Sequence, residues 1–151
     1  MKVSAEISGI DDLIKDIKEL GDDIDEVADR MLDAGAEVLE DEWRQTIRRK
    51  GYIKTGAMRD SIGIKKNKKK KTADVFPQGS QKIVTKTKGV KKVSNATKAY
   101  VLHHGRKSNP KTGRDAIKAS YFVTEIQQKG GIRAKIAMEE ILDEELKKKG
   151  M

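Results

Sequence analysis

Few side chains in this chain have the type and spacing that covalent chemistry needs. The two histidines, His103 and His104, are adjacent. Sequence neighbours point in different directions, and there is no second histidine cluster and no cysteine to complete a metal shell. Packing at a turn or an interface is the simpler role for both. Ser61 follows Asp60, but a nucleophilic serine needs a histidine and a carboxylate brought to it in space. No GxSxG, phosphate-cradling glycine loop or HExxH is present. The pair Glu139 and Glu140 reads as a solvated helix face. These residues predict no enzyme, no cofactor and no bound metal. The absence of cysteine excludes disulfide and thiolate chemistry and fits a reducing compartment.

The stronger signal is non-covalent. Lys65, Lys66, Lys68, Lys69, Lys70 and Lys71 surround Asn67. Such a run can neutralise phosphates and release their counterions. It can equally be a solvated hairpin tip that guards a strand edge. Only Phe76 stands nearby to stack on a base, so single-strand recognition is weak. Contact with duplex DNA and contact with an acidic protein surface both stay open. The wider charge pattern is polar along the chain. Residues 1–42 carry 15 acidic and 4 basic side chains, whereas residues 43–118 carry 23 basic and 3 acidic. Residues 119–151 are balanced at six of each. An acidic end and a basic middle suit nucleic-acid contact, and they equally suit copies stacked acidic face to basic face.

With 151 residues, 36% hydrophobic, 4% aromatic and 38% charged, the chain has room for one domain with an economical core. An extended shape is expected, or a subunit completed by copies of itself. The N-terminus has no apolar signal-peptide core, and no apolar run approaches the roughly 18 residues of a membrane helix. The expectation is a soluble protein made inside the cell, with no membrane partner.

The elements that would position the lysines are legible in part. Val3, Ala5 and Ile7 alternate with polar residues as a short strand. A short helix with Leu13, Ile14, Ile17 and Leu20 on one stripe follows and ends at Gly21. Asp22 or Asp23 opens a long helix with Ile24, Val27, Met31, Ala34, Gly35, Val38, Leu39, Trp43 and Ile47 on its apolar side. It ends at Gly51, after about 27 residues and roughly 40 Å. The small residues Ala34, Gly35 and Ala36 leave room for close packing, and Trp43 reads as core. In TGAMRDSI, residues 55–62, Thr55 is expected to cap a single turn over residues 57–60 with Met58 buried. Ile62 and Ile64 then begin a strand that pairs with TADVF through the lysine-rich tip, ended by Pro77 and Gly79. Residues 80–98 and 106–117 read as flexible loops, the first with weak strand signals at Ile83, Val84, Val90 and Val93. Tyr100 lies in an apolar stretch, again as packing. Tyr121, Val123 and Ile126 form a strand-like patch, Gly130 and Gly131 punctuate, and a last helix covers residues 132–148. The fold class is α+β: a long N-terminal helix packed on a small antiparallel sheet with an extended basic hairpin, and a C-terminal helix.

The segment TGAMRDSI resembles the TG-x-L-R-x-S-I element of a bacteriophage tail-component family that includes head–tail joining and tail-completion, terminator-like proteins. Thr55, Gly56, Met58, Arg59, Ser61 and Ile62 carry that likeness. The order of parts is similar too: long helix, this element, basic hairpin, a Y-V-x-x-x-G segment, loop and C-terminal helix. Tyr100, Val101 and Gly105 stand in the second motif, where family members often read E-F/Y-G-T and Leu102-His103-His104-Gly105-Arg106 lacks the glutamate and the threonine. Residues 119–123 align with a proline-bearing stretch before the last helix but lack both prolines. The resemblance implies a non-enzymatic virion protein of the tail or neck, assembled in the host cytoplasm. It implies a ring homo-oligomer, often a hexamer, joining the tail tube protein to head connector proteins around passing genomic DNA. The alternative from the residues alone is a small basic protein that contacts DNA phosphates nonspecifically.

Overall fold

A computed structural model describes residues 3–8, 21, 24–52, 56–85 and 89–150. The short helix expected over residues 11–20 lies outside them, as does Thr55.

Strand β1, Ala5–Ile7, buries Ala5 and Ile7 and exposes Glu6, as its alternation requires. Helix α1, Ile24–Arg49, is 26 residues long. Its buried side chains recur in steps of one, three and four: Val27, Ala28, Met31, Leu32, Gly35, Ala36, Leu39, Glu42, Trp43, Thr46 and Ile47. That spacing places them on one side of the cylinder. Acidic Asp25 and Glu26 sit in the first turn and basic Arg48 and Arg49 in the last, as the helix dipole favours. Gly51, at φ +77°, turns the chain away. A single turn, α2, spans Ala57–Asp60 and leads into β2, Ile62–Asn67. Strand β3, Thr72–Pro77, returns antiparallel, and the three-stranded sheet has the order β1-β3-β2.

The segment after β3 departs from the expected loop. Strands β4, Ser80–Thr85, and β5, Gly89–Ser94, form a second antiparallel hairpin, and the weak signals Ile83, Val84, Val90 and Val93 all lie on it. Helix α3, Asn95–His104, follows directly. Its start is chemically specified: Ser94 accepts the Thr97 N–H at 3.0 Å, a side-chain N-cap. Residues 106–117 are irregular but pinned by bridges between Arg106 and Ile117 and between Asn109 and Arg114.

The last helix also differs from expectation. Helix α4 spans Phe122–Lys148, so Val123 and Ile126, expected in a strand-like patch, lie in its first turns. Tyr121 is its N-cap. Gly130 and Gly131 do not interrupt it. Helices α1 and α4 run antiparallel, and glycines on both lie in tight contacts. A Cβ on Gly130 would come within 2.7 Å of Leu39 Cδ2, and one on Gly35 within 2.7 Å of Ile7 Cδ1 and 3.1 Å of Met138. Gly130 is therefore a contact point rather than a breaker, and the cost of glycine in a helix (about 1 kcal/mol) is offset by close packing. The core lies between α1, α4 and the three-stranded sheet. Trp43 and Phe122 are fully buried and meet edge to face with centroids 5.6 Å apart.

Ion pairs brace the helix pair along its length. Arg49 and Lys50 meet Glu125, at 2.5 and 3.1 Å. Arg133 meets buried Glu42 at 2.7 Å, and Arg30 pairs with Glu145 near the other end. Hydrogen bonds from Lys129 and then Lys50 hold the Glu125 carboxyl below its usual range.

Candidate assembly surfaces

The basic hairpin is built by turn chemistry. Asn67 breaks the lysine run because its side-chain carbonyl accepts the Lys70 N–H at 3.1 Å, which closes the turn. Lys71 then takes the left-handed conformation, φ +49°. The tip stands beside the N-terminal half of α1, and the six lysines divide into two sets. Lys66 reaches Asp33 at 2.8 Å and Asp29 at 3.8 Å, and the Asp33 hydrogen bond is the main reason its pKa lies above the usual lysine value. Lys71 reaches Asp25 at 2.7 Å. Acidic helix and basic hairpin, expected as surfaces for neighbouring subunits, thus neutralise each other in part within one chain. Lys65, Lys68, Lys69 and Lys70 are exposed and have no carboxylate partner among the described residues. They border a shallow cleft of about 530 Å³ that also takes in Glu6 and Asp74.

The TGAMRDSI element is architectural. The N-cap of α2 is Gly56, which sits at φ +72° and makes no side-chain cap, while Thr55, expected to cap this turn, lies outside the described residues. Met58 and Ile62 are buried in the core. Ser61 donates its hydroxyl to the Met58 carbonyl at 2.8 Å, satisfying an orphan acceptor at the end of the turn. Arg59 pairs with Asp60 at 2.9 Å, which lowers the Asp60 pKa, and Arg44 ties the turn to α1 by donating to the Ile62 carbonyl at 3.3 Å.

The second motif lies at the junction of α3 and α4. Tyr100 is half-buried, its ring 4.5 Å from that of His104. Gly105 is required twice over: φ is +75°, and a Cβ would meet the Ile117 carbonyl at 2.6 Å and the Ala119 nitrogen at 2.7 Å. The chain entering α4 caps α3, since Ser120 and Tyr121 donate their N–H groups to the Leu102 and His103 carbonyls at 3.2 and 3.1 Å. His103 returns the interaction. Its Nδ1 accepts the Val123 N–H at 3.2 Å, which places the neutral ring's proton on Nε2. No local pattern announces this role, because the partner is twenty residues away. Burial, and then the charge of neighbouring His104, hold the His103 pKa below 6.5. Among the described residues no three His, Cys, Asp or Glu side chains are grouped to hold a metal, and no helix is long and apolar enough to cross a membrane.

A family model for bacteriophage HK97-gp10-like tail components matches residues 11–89. That span covers α1, the TGAMRDSI element, the basic hairpin and β4, and stops before Tyr100 and Gly105. No curated protein and no solved structure matches the chain. Over more than half its length, from the acidic helix through the basic hairpin, the chain belongs to the HK97-gp10-like family of bacteriophage tail components.

Proposed function

We propose that this tail component forms a ring, with six subunits, at the head-proximal end of the tail. There it completes the tail tube and joins it to the head connector. The observation that carries this reading is the separation of surfaces on one subunit. The helix α1 presents exposed carboxylates, among them Glu26 and Glu37. At the tip of the basic hairpin, four lysines have no carboxylate partner among the described residues. Different, complementary patches on one chain favour head-to-tail contacts, and head-to-tail contacts close into rings when the rotation permits. Virion proteins are its partners on this reading: copies of itself, the tail tube protein and connector proteins. It is made in the host cytoplasm and ends in the particle.

The set Lys65, Lys68, Lys69 and Lys70 favours a further contact, with the phosphates of DNA passing through the ring. Such a contact needs positive charge but no base reading. The ring reading is tested by removing the gene and imaging the particles. Unjoined heads, or tails of uncontrolled length, are expected. Normal infectious particles would rule it out.

A further inference from the structure

Among the described residues five large hydrophobic side chains are exposed, and four of them fall into two separate patches. The first is on the second hairpin. Val84 is 84% exposed, and its cross-strand partner Val90 is 65% exposed. Val84 stands at the rim of a groove of about 810 Å³ between the β4–β5 hairpin, α3 and the 106–117 loop. Its apolar lining includes Met58, Ile83, Val101 and Leu102, and no residue of α4 contributes. Its charged rim is cationic: Lys91, Lys98, Arg106 and Arg114 against the single carboxylate of Asp115. Lys98 is half-buried there and has no carboxylate partner among the described residues. Burial alone lowers its pKa. An uncompensated, partly desolvated ammonium beside apolar walls fits an incoming carboxylate.

The second patch is on α4. Its buried row, Ile126, Gly130, Ala134, Met138 and Leu142, packs on α1. Away from that row stand Ile132 and Ile136, 68% and 52% exposed. At helical spacing they continue into exposed Glu139, Glu140 and Asp143 on the same stripe. Glu140 and Asp143 have no cation paired to them among the described residues. Two isoleucines followed by carboxylates are the complement of an apolar groove rimmed by cations.

We infer that the groove beside α3 receives the Ile132–Ile136 stripe of α4 from a second copy of the chain, with Glu140 and Asp143 of that copy meeting Lys98 and Arg114. The inference rests on the ring reading and names its contact. Because the two patches are different surfaces of one subunit, each copy gives one and takes one. The contact is heterologous and propagates until it closes. Charge complementarity fixes its direction and register.

The absence of native cysteine makes the test clean. Val84→Cys and Ile136→Cys are made separately, mixed at high concentration, oxidised mildly and run on a non-reducing gel. A cross-linked dimer is expected in the mixture, several-fold above either variant alone, and not when Lys68→Cys replaces Val84→Cys. Two charge reversals accompany it: Lys98→Glu with Arg114→Glu, and Glu140→Lys with Asp143→Lys. Each alone should raise the concentration needed for assembly at least tenfold, and the chain carrying all four should assemble again. Circular dichroism checks that each variant folds. If the chain forms oligomers but gives no selective cross-link and ignores the reversals, this contact is wrong and the ring reading stands. A chain that stays monomeric at high concentration overturns both.

Discussion

His103 and Val123 link the two C-terminal helices directly, the Val123 N–H donating to Nδ1 of the His103 ring at 3.2 Å. The acceptor exists only while the imidazole is neutral. Protonation would turn it into a donor aimed at a donor, beside the positive end of α4.

Stability should therefore fall in acid. The folded-state pKa is depressed, chiefly by burial, so the unfolded chain takes up the proton first. The stabilising contribution is complete above about pH 6.5 and is lost as pH falls through the lower folded value. Urea titrations between pH 8 and 5 should show this loss in the natural chain and a smaller one in His103→Asn, whose amide oxygen can accept without titrating. At pH 8, His103→Ala should cost about 1–2 kcal/mol, as removal of a helix cap does. Equal acid sensitivity in the natural chain and His103→Asn would show that another group titrates.

Adjacent glycines in α4 should respond with opposite sign. A Cβ on Gly130 meets Leu39 Cδ2 at 2.7 Å, whereas one on Gly131 finds only the end of Gln127 at 3.8 Å. Gly130→Ala should destabilise by about 1–3 kcal/mol through overpacking. Gly131→Ala should stabilise by about 0.5–1 kcal/mol through helix propensity. Thermal melts of the two variants decide this.

Gly105 and Gly51 form a second contrast. Both have positive φ, +75° and +77°, but only Gly105 is crowded by backbone. Gly51→Ala should cost about 1–2 kcal/mol, the left-handed penalty alone. Gly105→Ala should cost more, because the Ile117 and Ala119 backbone must move as well. Equal melting temperatures would show that the 117–119 segment yields freely.

The tip lysines should separate binding from folding. Lys68→Gln, Lys69→Gln and Lys70→Gln together should leave the melting temperature within about 1 °C, since none has a carboxylate partner among the described residues. If they meet phosphates, the triple change should flatten the plot of log affinity for duplex DNA against log salt. The slope should shrink by about 0.9 for each phosphate no longer neutralised. Lys66→Gln should instead cost up to about 1 kcal/mol of stability, through the pair with Asp33. A natural chain that shows no duplex binding at about 50 mM salt would dismiss the phosphate contact.

What was legible in the sequence followed strong periodicity or explicit stop signals. The long helix came within two residues of its ends because eleven buried positions repeat at helical spacing and Gly51 terminates it. The basic hairpin was legible from alternation on either side of a lysine-rich turn. Helix α3 was not, because its ten residues have no apolar stripe and only Ser94 marks its start. The first turns of α4 were not legible, because Tyr121, Val123 and Ile126 suit a strand as well as a helix and because Gly130 suggests an end. Only the partner helix reveals that Gly130 is a contact. The lysines divide in the same way. Six of them stand out as one basic run, but the local pairing of Lys66 and Lys71 with α1 depends on how the hairpin lies across the helix. The groove beside α3 joins segments distant in sequence, and no local pattern announces it.

A ring where tail meets head puts the chain at one place in the particle. Immunogold electron microscopy of purified phage carrying an epitope tag on the chain locates it. Gold confined to a single position at the head–tail junction of each particle is expected. Gold spread along the tail, or absent from finished particles, would refute the ring at that junction.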